Sequence, residues 1–160
     1  MTTITDTHRA VIERFYGAFA RRDADTMAHC YHAGARFRDP VFELEGARIG
    51  AMWKMLCARG ADLRVVHSAV HAEDASGAAH WEAWYTFSGS GRPVHNVIDA
   101  RFRFVGGLIV EHIDSFDFWR WSRQALGLPG LLLGWSPLLR EKVRAQALDT
   151  LARFEGRPPA

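Results

Sequence analysis

The sequence predicts an α+β fold, in which a curved antiparallel sheet wraps around N-terminal helices as a cone and extra helices follow at the C-terminus. Apolar residues recur at helical spacing before about residue 60 and at a spacing of two after residue 62. Short turns that contain glycine separate the later segments, as in consecutive antiparallel hairpins. The 160 residues are typical of one domain, which we predict to span 1–160.

Three helices are predicted in the first third of the chain. Residues 7–20 form an amphipathic helix, with N-cap candidates at 5–7. A short second helix follows, and either Asp23 or Asp25 is its cap. A third amphipathic helix is predicted over 47–58, after a short strand.

Five strands are predicted in all. The first is the alternating stretch "ARFRDP", in which Ala35, Phe37 and Asp39 point to one face. The other four strands are separated by the turn sequences "EDASG", "GSG" and "GG". These four strands span residues 63–72, 78–88, 92–105 and 108–119.

The C-terminal part of the chain is predicted to be helical around one apolar loop. A short helix spans 122–126, and a last helix spans 137–154 with Ser136 as its N-cap. The apolar stretch 128–135 is too short to cross a bilayer. We expect it either to cover the opening of a cavity enclosed by the curved sheet or to pack across a subunit interface, with weak membrane contact as a lesser possibility. Residues 155–160 are predicted as a frayed tail.

Composition and charge exclude several classes of function. A net charge of +2 without a sustained run of Lys or Arg argues against nucleic-acid binding. Cys30 and Cys57 are not spaced as a disulfide framework, so we expect free thiols in a reducing compartment. No N-terminal segment resembles a signal peptide, and the expected location is cytoplasmic. No recognised spacing motif supports a metal site, and we predict no cofactor.

The alternation of the strands places three polar residues in the predicted cavity. On the last strand His112 and Asp114 share the inward face, whereas Asp117 falls outward unless a bulge intervenes. Asp39 joins them from the short strand, where Pro40 favours an extended backbone. Because a carboxylate in an aromatic cavity is costly to ionise, the pKa of Asp39 should rise toward neutrality, as suits a general base.

Each of these residues also has a purely structural interpretation. His112 and Asp114 fit a buried, satisfied pair, Asp39 fits a carboxylate that bonds amides at a strand end, and Asp117 fits an N-cap. Six more residues are predicted to line the cavity and to contact a ligand. They are Tyr16, Phe37, Trp53, Tyr85, Asn96 and Phe116.

Two stretches resemble the nuclear transport factor 2-like superfamily, and within it the SnoaL-like and ketosteroid isomerase-like proteins. "VIERFYGAFARRDADTMAHCYHAGARFRDP" is similar to the isomerase opening, and "GLIVEHIDSFDFWRWSRQALG" is similar to the SnoaL-like ending. The resemblance implies a conical core over 1–127, an extension over 128–160, and a homodimer packed through the sheet. It places Asp39 at the position of the isomerase base and Asp117 at that of a SnoaL-like acid/base aspartate.

The sequence departs from the isomerases at their oxyanion hole, which is built from a tyrosine and a protonated aspartic acid. Phe15 stands at the tyrosine position, and either Asp99 or Ala100 stands at the other, with strand alternation favouring Ala100. These departures argue against ketosteroid isomerase activity itself.

The expected function is therefore a small cofactor-free enzyme that uses acid/base chemistry on a small hydrophobic molecule, as an isomerase, a cyclase or an epoxide hydrolase does. Asp39 would be the base, and the pair His112 and Asp114 would polarise or protonate the substrate. The alternative is a ligand-binding or dimerisation module without catalysis, since the fold does not decide the function.

Overall fold

The computed structural model describes residues 1–156, so residues 157–160 of the predicted tail lie outside the described chain. Its helices are α1 (Ile4–Ala20), α2 (Ala24–His29), α3 (Ala47–Arg59), α4 (Phe118–Leu126), α5 (Leu128–Leu133) and α6 (Pro137–Phe154). Its strands are β1 (Tyr31–Arg38), β2 (Glu43–Glu45), β3 (Arg64–Glu73), β4 (Ser76–Phe87), β5 (Arg92–Val105) and β6 (Leu108–Ser115).

The strands form one sheet in the order β2-β1-β6-β5-β4-β3. Neighbouring strands are antiparallel except β1 and β6, which run parallel. Buried residues of α1, α2 and α3 share one hydrophobic core with the inner face of the sheet. This architecture confirms the predicted α+β cone with additional C-terminal helices.

The parallel pairing of β1 with β6 brings two distant parts of the sequence to one level of the sheet. Phe37 lies opposite His112, and Arg38, the last residue of β1, lies opposite Ile113. Asp39 therefore leaves β1 at the level of Asp114 on β6. This pairing sets the position of the candidate site.

The first helix begins earlier than the sequence predicts. Thr3 Oγ1 accepts a hydrogen bond from the backbone N–H of Asp6 at 3.1 Å, and the Asp6 carboxylate accepts one from the backbone N–H of Thr3 at 3.0 Å. This reciprocal capping box satisfies two free donors, so α1 starts before the candidates at 5–7. Asp23, one of the two predicted caps of α2, accepts from the N–H of Thr26 at 3.1 Å.

The last strand is shorter than predicted, since β6 ends at Ser115 rather than at residue 119. Helix α4 begins directly after Asp117, because the Asp117 side chain caps the first turn of that helix. A register shift in the pairing of β5 with β6 also changes the alternation, so that Ile109 is fully buried in place of its two neighbours.

The C-terminal extension packs against the cone. The stretch 128–135, predicted as a loop, contains helix α5, which follows Gly127 at φ +67°. Leu151 of α6 is fully buried in the main core. Glu155, predicted to lie in the frayed tail, bonds Arg48 Nε through Oε1 at 3.2 Å. The helix α6 is therefore held to α3 rather than projecting from the domain.

Two further expectations concern the chain as a whole. Cys30 and Cys57 are free and buried, as predicted. Within residues 1–156, no helix is both long enough and apolar enough to cross a membrane.

Candidate active site

Five side chains inside the cone form a continuous series of hydrogen bonds, which we call the buried chain: Trp53, Tyr31, His112, Asp114 and Trp81. Trp53 Nε1 donates to the Tyr31 hydroxyl at 3.0 Å, and that hydroxyl lies 2.6 Å from His112 Nδ1. His112 Nε2 lies 2.9 Å from Asp114 Oδ1, which also accepts from Trp81 Nε1 at 3.3 Å. His112 is fully buried, and Asp114 is 4% exposed.

The geometry of the buried chain fits one continuous direction of donation. An indole N–H only donates, so the Tyr31 oxygen accepts from Trp53 and its own hydrogen is available for His112 Nδ1. With Nδ1 as the acceptor, the imidazole carries a hydrogen on Nε2 and donates it to Asp114 Oδ1. Every polar group in this arrangement has a partner, as buried polar groups require.

Aromatic rings pack closely around His112. Its ring centroid lies 4.4 Å from that of Phe102, 5.0 Å from Phe37, 5.6 Å from Phe15 and 6.1 Å from Trp53. Phe37 and Trp53, both predicted to line a cavity, are 1% and 2% exposed. These two residues form a packed floor around the histidine.

Asp39 lies at the end of β1, partly buried, beside the buried chain. Its Oδ1 accepts hydrogen bonds from the backbone N–H groups of Val41 at 2.7 Å and Phe42 at 2.6 Å. Burial raises its pKa from 3.8 to about 7 although both bonds favour the carboxylate. The negative charge of Asp114 contributes to this rise in the pKa of Asp39, and the cation of Arg144 on α6 opposes it.

Tyr85 lies close enough to Asp39 for the charge of that carboxylate to affect its pKa. Burial, together with the charge of Asp39, raises the pKa of Tyr85 to about 12. Its hydroxyl accepts a hydrogen bond from Trp121 Nε1 at 2.8 Å. Phe116 packs against the same rings and against the main core. We call Asp39, Tyr85, Phe116 and Trp121 the mouth.

Tyr16, another predicted lining residue, is fully buried and has an unpaired hydroxyl. The hydroxyl oxygen has no hydrogen-bond partner among the residues that the structure describes. The Tyr16 ring stacks on His67 at 5.3 Å between centroids, and His67 Nε2 in turn lies 2.7 Å from Glu13 Oε2. Burial and the charge of Asp114 raise the pKa of Tyr16 well above its usual value. The hydroxyl is thus a neutral donor inside the cone.

Asp117, one of the predicted catalytic residues, lies apart from this group. Asp117 is exposed, and its Oδ1 accepts from the backbone N–H of Arg120 at 3.0 Å, which is the bond of an N-cap. Asn96 is half-buried on β5, opposite Ala83. The structure therefore brings Asp39, His112 and Asp114 together and leaves Asp117 outside.

Four residues of the site were not predicted from the sequence. Tyr31 and Trp81 belong to the buried chain, Trp121 bonds Tyr85, and the charge of Arg144 on α6 acts on the pKa of Asp39. Extending the alternation of Ala35 and Phe37 back along β1 would have placed Tyr31 on the inner face. Nothing in the sequence pairs α6 with the end of β1.

Metal binding is not supported by any cluster in residues 1–156. No group of three or more His, Cys, Asp or Glu side chains in that part of the chain is arranged to hold an ion. The pair of His112 and Asp114 has its ring nitrogens and one oxygen engaged in the buried chain.

The curved sheet, the N-terminal helices and the polar strand end together define a protein of the nuclear transport factor 2-like fold. The sequence profile of the SnoaL-like domain matches residues 12–112. The chain belongs to the SnoaL-like domain family, as the sequence resemblance predicted.

Solved structures share this fold. An epoxide hydrolase of the LEH-like type from M. tuberculosis is 19% identical with a TM-score of 0.65, and the match covers 86% of this chain and 98% of that one. A candidate polyketide cyclase from Xanthomonas campestris is 15% identical with a TM-score of 0.65, covering 77% and 99%. A candidate ketosteroid isomerase from Kribbella flavida is 16% identical with a TM-score of 0.58, covering 73% and 82%. Comparison with curated proteins gives no match.

Proposed function

We propose that the protein is a small acid/base enzyme that acts on a small hydrophobic molecule, with Asp39 as the base. The observation that carries the proposal is the pKa of Asp39, raised to about 7 at the mouth. An aspartate of ordinary pKa is a weak base, whereas a group that titrates near neutrality is both largely ionised and basic enough to accept a proton. The proposed reaction uses no cofactor.

In this proposal the buried chain positions and tunes the base. His112 is enclosed by rings, and its Nε2 lies 2.9 Å from Asp114 Oδ1. The fixed negative charge of Asp114 raises the pKa of Asp39, as one carboxylate does to another in a shared site. We assign His112 and Asp114 this indirect role instead of the direct protonation that the sequence suggested.

Tyr85 is the proposed hydrogen-bond donor to the ligand. Trp121 already supplies a hydrogen to its oxygen, so the hydroxyl hydrogen of Tyr85 is free to point at a ligand oxygen. A pKa of about 12 keeps this group protonated throughout the physiological range. Asp39 and Tyr85 would therefore act on the same molecule, one as base and the other as donor.

Two reaction types suit this pair. Opening of an epoxide needs a base to activate water and a donor to the epoxide oxygen, and an aldol-type cyclisation needs a base at carbon and a donor to the carbonyl oxygen. Ketosteroid isomerisation suits it less, because Phe15 at one oxyanion-hole position offers no side-chain donor. Of the two candidates for the other position, Asp99 is exposed and the buried Ala100 also offers no side-chain donor. Asp117, engaged as an N-cap, has no part in the proposed chemistry.

The unpaired hydroxyl of Tyr16 supports a ligand inside the cone. Buried hydroxyl groups nearly always have a partner, and a ligand oxygen or an ordered water would supply one here. The aromatic rings of the mouth suit an apolar, cyclic molecule. We propose that such a molecule binds at the mouth, beside Tyr85 and Phe116.

The decisive experiment uses two probes and one matched pair of variants. Exchange of solvent deuterium into 2-tetralone reports proton abstraction from carbon, and hydrolysis of cyclohexene oxide reports epoxide opening. We expect at least one reaction to rise with pH through a midpoint near 7 and to fall about a hundredfold or more in D39N. The control D25N, at an exposed site on α2, should react like the wild type. An unchanged rate in D39N would remove Asp39 from the mechanism.

The second candidate is a ligand-binding module without catalysis. It is favoured by the close packing of rings around His112, which leaves the floor of the cone closed to a substrate. In that case 2-tetralone would bind wild type and D39N equally, and neither would exchange deuterium faster than buffer. The predicted homodimer and cytoplasmic location stay predictions, and sedimentation velocity tests the first.

A further inference from the structure

The surface formed by α4, α5 and the start of α6 exposes an unusual number of apolar side chains. Seven of the fourteen exposed large hydrophobic residues of the described chain lie within residues 119–138. Trp135 is 73% exposed and Leu138 is 80% exposed. We call these seven residues the leucine face: Trp119, Leu128, Leu131, Leu132, Leu133, Trp135 and Leu138.

The leucine face is held outward by close backbone packing beneath it. A Cβ on Gly130 would lie 1.9 Å from the carbonyl oxygen of Ser122, so the backbone of α5 rests directly on α4. Trp119 Nε1 donates to the carbonyl oxygen of Leu131 at 3.2 Å, which joins the two helices across their exposed side. The leucines of α5 therefore cannot turn inward without separating these helices.

Basic residues adjoin the leucine face at one edge. Residues 119–144 contain five Lys and Arg residues and one Glu, a net charge of +4, whereas the rest of the 160-residue chain carries −2. A hollow of about 400 Å³ at the edge of the leucine face is lined by Arg92, Arg120 and Arg123. Within residues 1–156, no carboxylate lies within ion-pair distance of these three arginines. The guanidinium of Arg123 lies 4.4 Å from the ring centroid of Trp119, so the basic rim adjoins the apolar residues.

We propose that the leucine face attaches the protein to the surface of an anionic phospholipid bilayer. Exposed Leu and Trp side chains insert to the level of the acyl boundary, and a rim of Arg and Lys residues pairs with anionic headgroups. The hollow between the three arginines suits a phosphate group, which arginine binds through paired N–H donors. A second copy of this chain fits less well, because it would bring two rims of charge +4 together.

The proposal does not depend on the proposed catalytic function, and it is tested by vesicle binding of the full chain. Vesicles of phosphatidylcholine alone are compared with vesicles of equal parts phosphatidylcholine and phosphatidylglycerol. We expect the wild type to sediment with the anionic vesicles, and to be released from them by added salt. L131S/L132S should weaken binding at least tenfold through the lost apolar contact. R120Q/R123Q should weaken it roughly 25-fold, since each basic residue near the surface contributes about fivefold.

V105S is the matched control, because Val105 is 59% exposed at the end of β5, outside the leucine face. It should bind the anionic vesicles as the wild type does. Circular dichroism checks that each variant is folded. Wild-type protein that stays in the supernatant with anionic vesicles at low salt would overturn the proposal. The proposal would also be overturned if vesicle binding is absent and sedimentation velocity shows a wild-type dimer that is lost in L131S/L132S. The leucine face would then join two copies of the chain.

Discussion

The floor and the mouth of the cone each contain a carboxylate, and the two carboxylates have opposite surroundings. Asp114 on the floor accepts from His112 and Trp81 in a fully paired chain. Asp39 at the mouth accepts only backbone N–H groups and faces the charge of Asp114. Burial is the largest cause of the raised pKa of Asp39, and the charge of Asp114, which has its own partners, adds to it.

The largest effect on stability should come from replacing His112, which lies at the floor of the cone. H112A removes one partner each from the buried Asp114 and from the Tyr31 hydroxyl and opens a cavity, so we expect a loss of about 4 kcal/mol in the free energy of unfolding. The control is H80A, which removes an exposed His–Asp pair of the same 2.9 Å separation, His80 with Asp99. Its cost should be below about 1 kcal/mol. Urea denaturation measures both, and equal losses would contradict the distinction between the two pairs.

Removing the negative charge of Asp39 at the mouth should stabilise the protein. The folded pKa of Asp39 is raised to about 7 from an ordinary 3.8. Between these values the folded state binds more protons than the unfolded state, so stability falls as pH rises from about 4 to about 7. Since a pKa difference of one is about 1.4 kcal/mol, ionised Asp39 costs about 2 to 4 kcal/mol, the lower figure reflecting its partial exposure.

D39N should remove this dependence, because asparagine keeps an oxygen for the two backbone donors and carries no charge. We expect D39N to exceed the wild type in stability by about 2 to 4 kcal/mol at pH 8, and the difference to disappear below pH 4. Urea denaturation at several pH values measures it. A wild type whose stability relative to D39N does not change with pH would show that Asp39 titrates normally.

Asp117 tests where the mouth ends. Because its side chain caps α4 and is exposed, D117A should lose about 1 kcal/mol of stability, whereas D117N should lose only a few tenths, since asparagine caps as well as aspartate. Thermal unfolding measures the pair. If D117N retains the cap but abolishes turnover of either probe, Asp117 takes part in the reaction and must be included in the mouth.

The smallest effect should come from Tyr16. Its hydroxyl has no partner among the described residues, so Y16F should leave stability unchanged or raise it by up to about 1 kcal/mol. Y31F is the matched control, and it should lose about 2 kcal/mol because the Tyr31 hydroxyl has two partners. A loss in Y16F as large as that in Y31F would reveal an ordered water or another partner at Tyr16.

The sequence by itself determined most of the elements and the faces they bury, although it did not predict β2 or α5. Period-two alternation placed His112 and Asp114 inward because successive side chains of a strand point to opposite faces. The same rule placed Ala100 inward and Asp99 outward, which the structure confirms. It failed at Ile109 and beyond Ser115, because a register shift and a helix cap depend on neighbours that alternation does not include.

Only the tertiary structure decided how these faces meet. The parallel pairing of β1 with β6 set Asp39 beside Asp114, and the docking of α6 brought Arg144 near them. The fully paired state of the buried chain depends on Trp53 and Trp81 from two other elements. A pKa is set by burial and by charges across space, which local sequence does not encode, so the sequence indicated a buried carboxylate at Asp39 and the folded chain decided its environment.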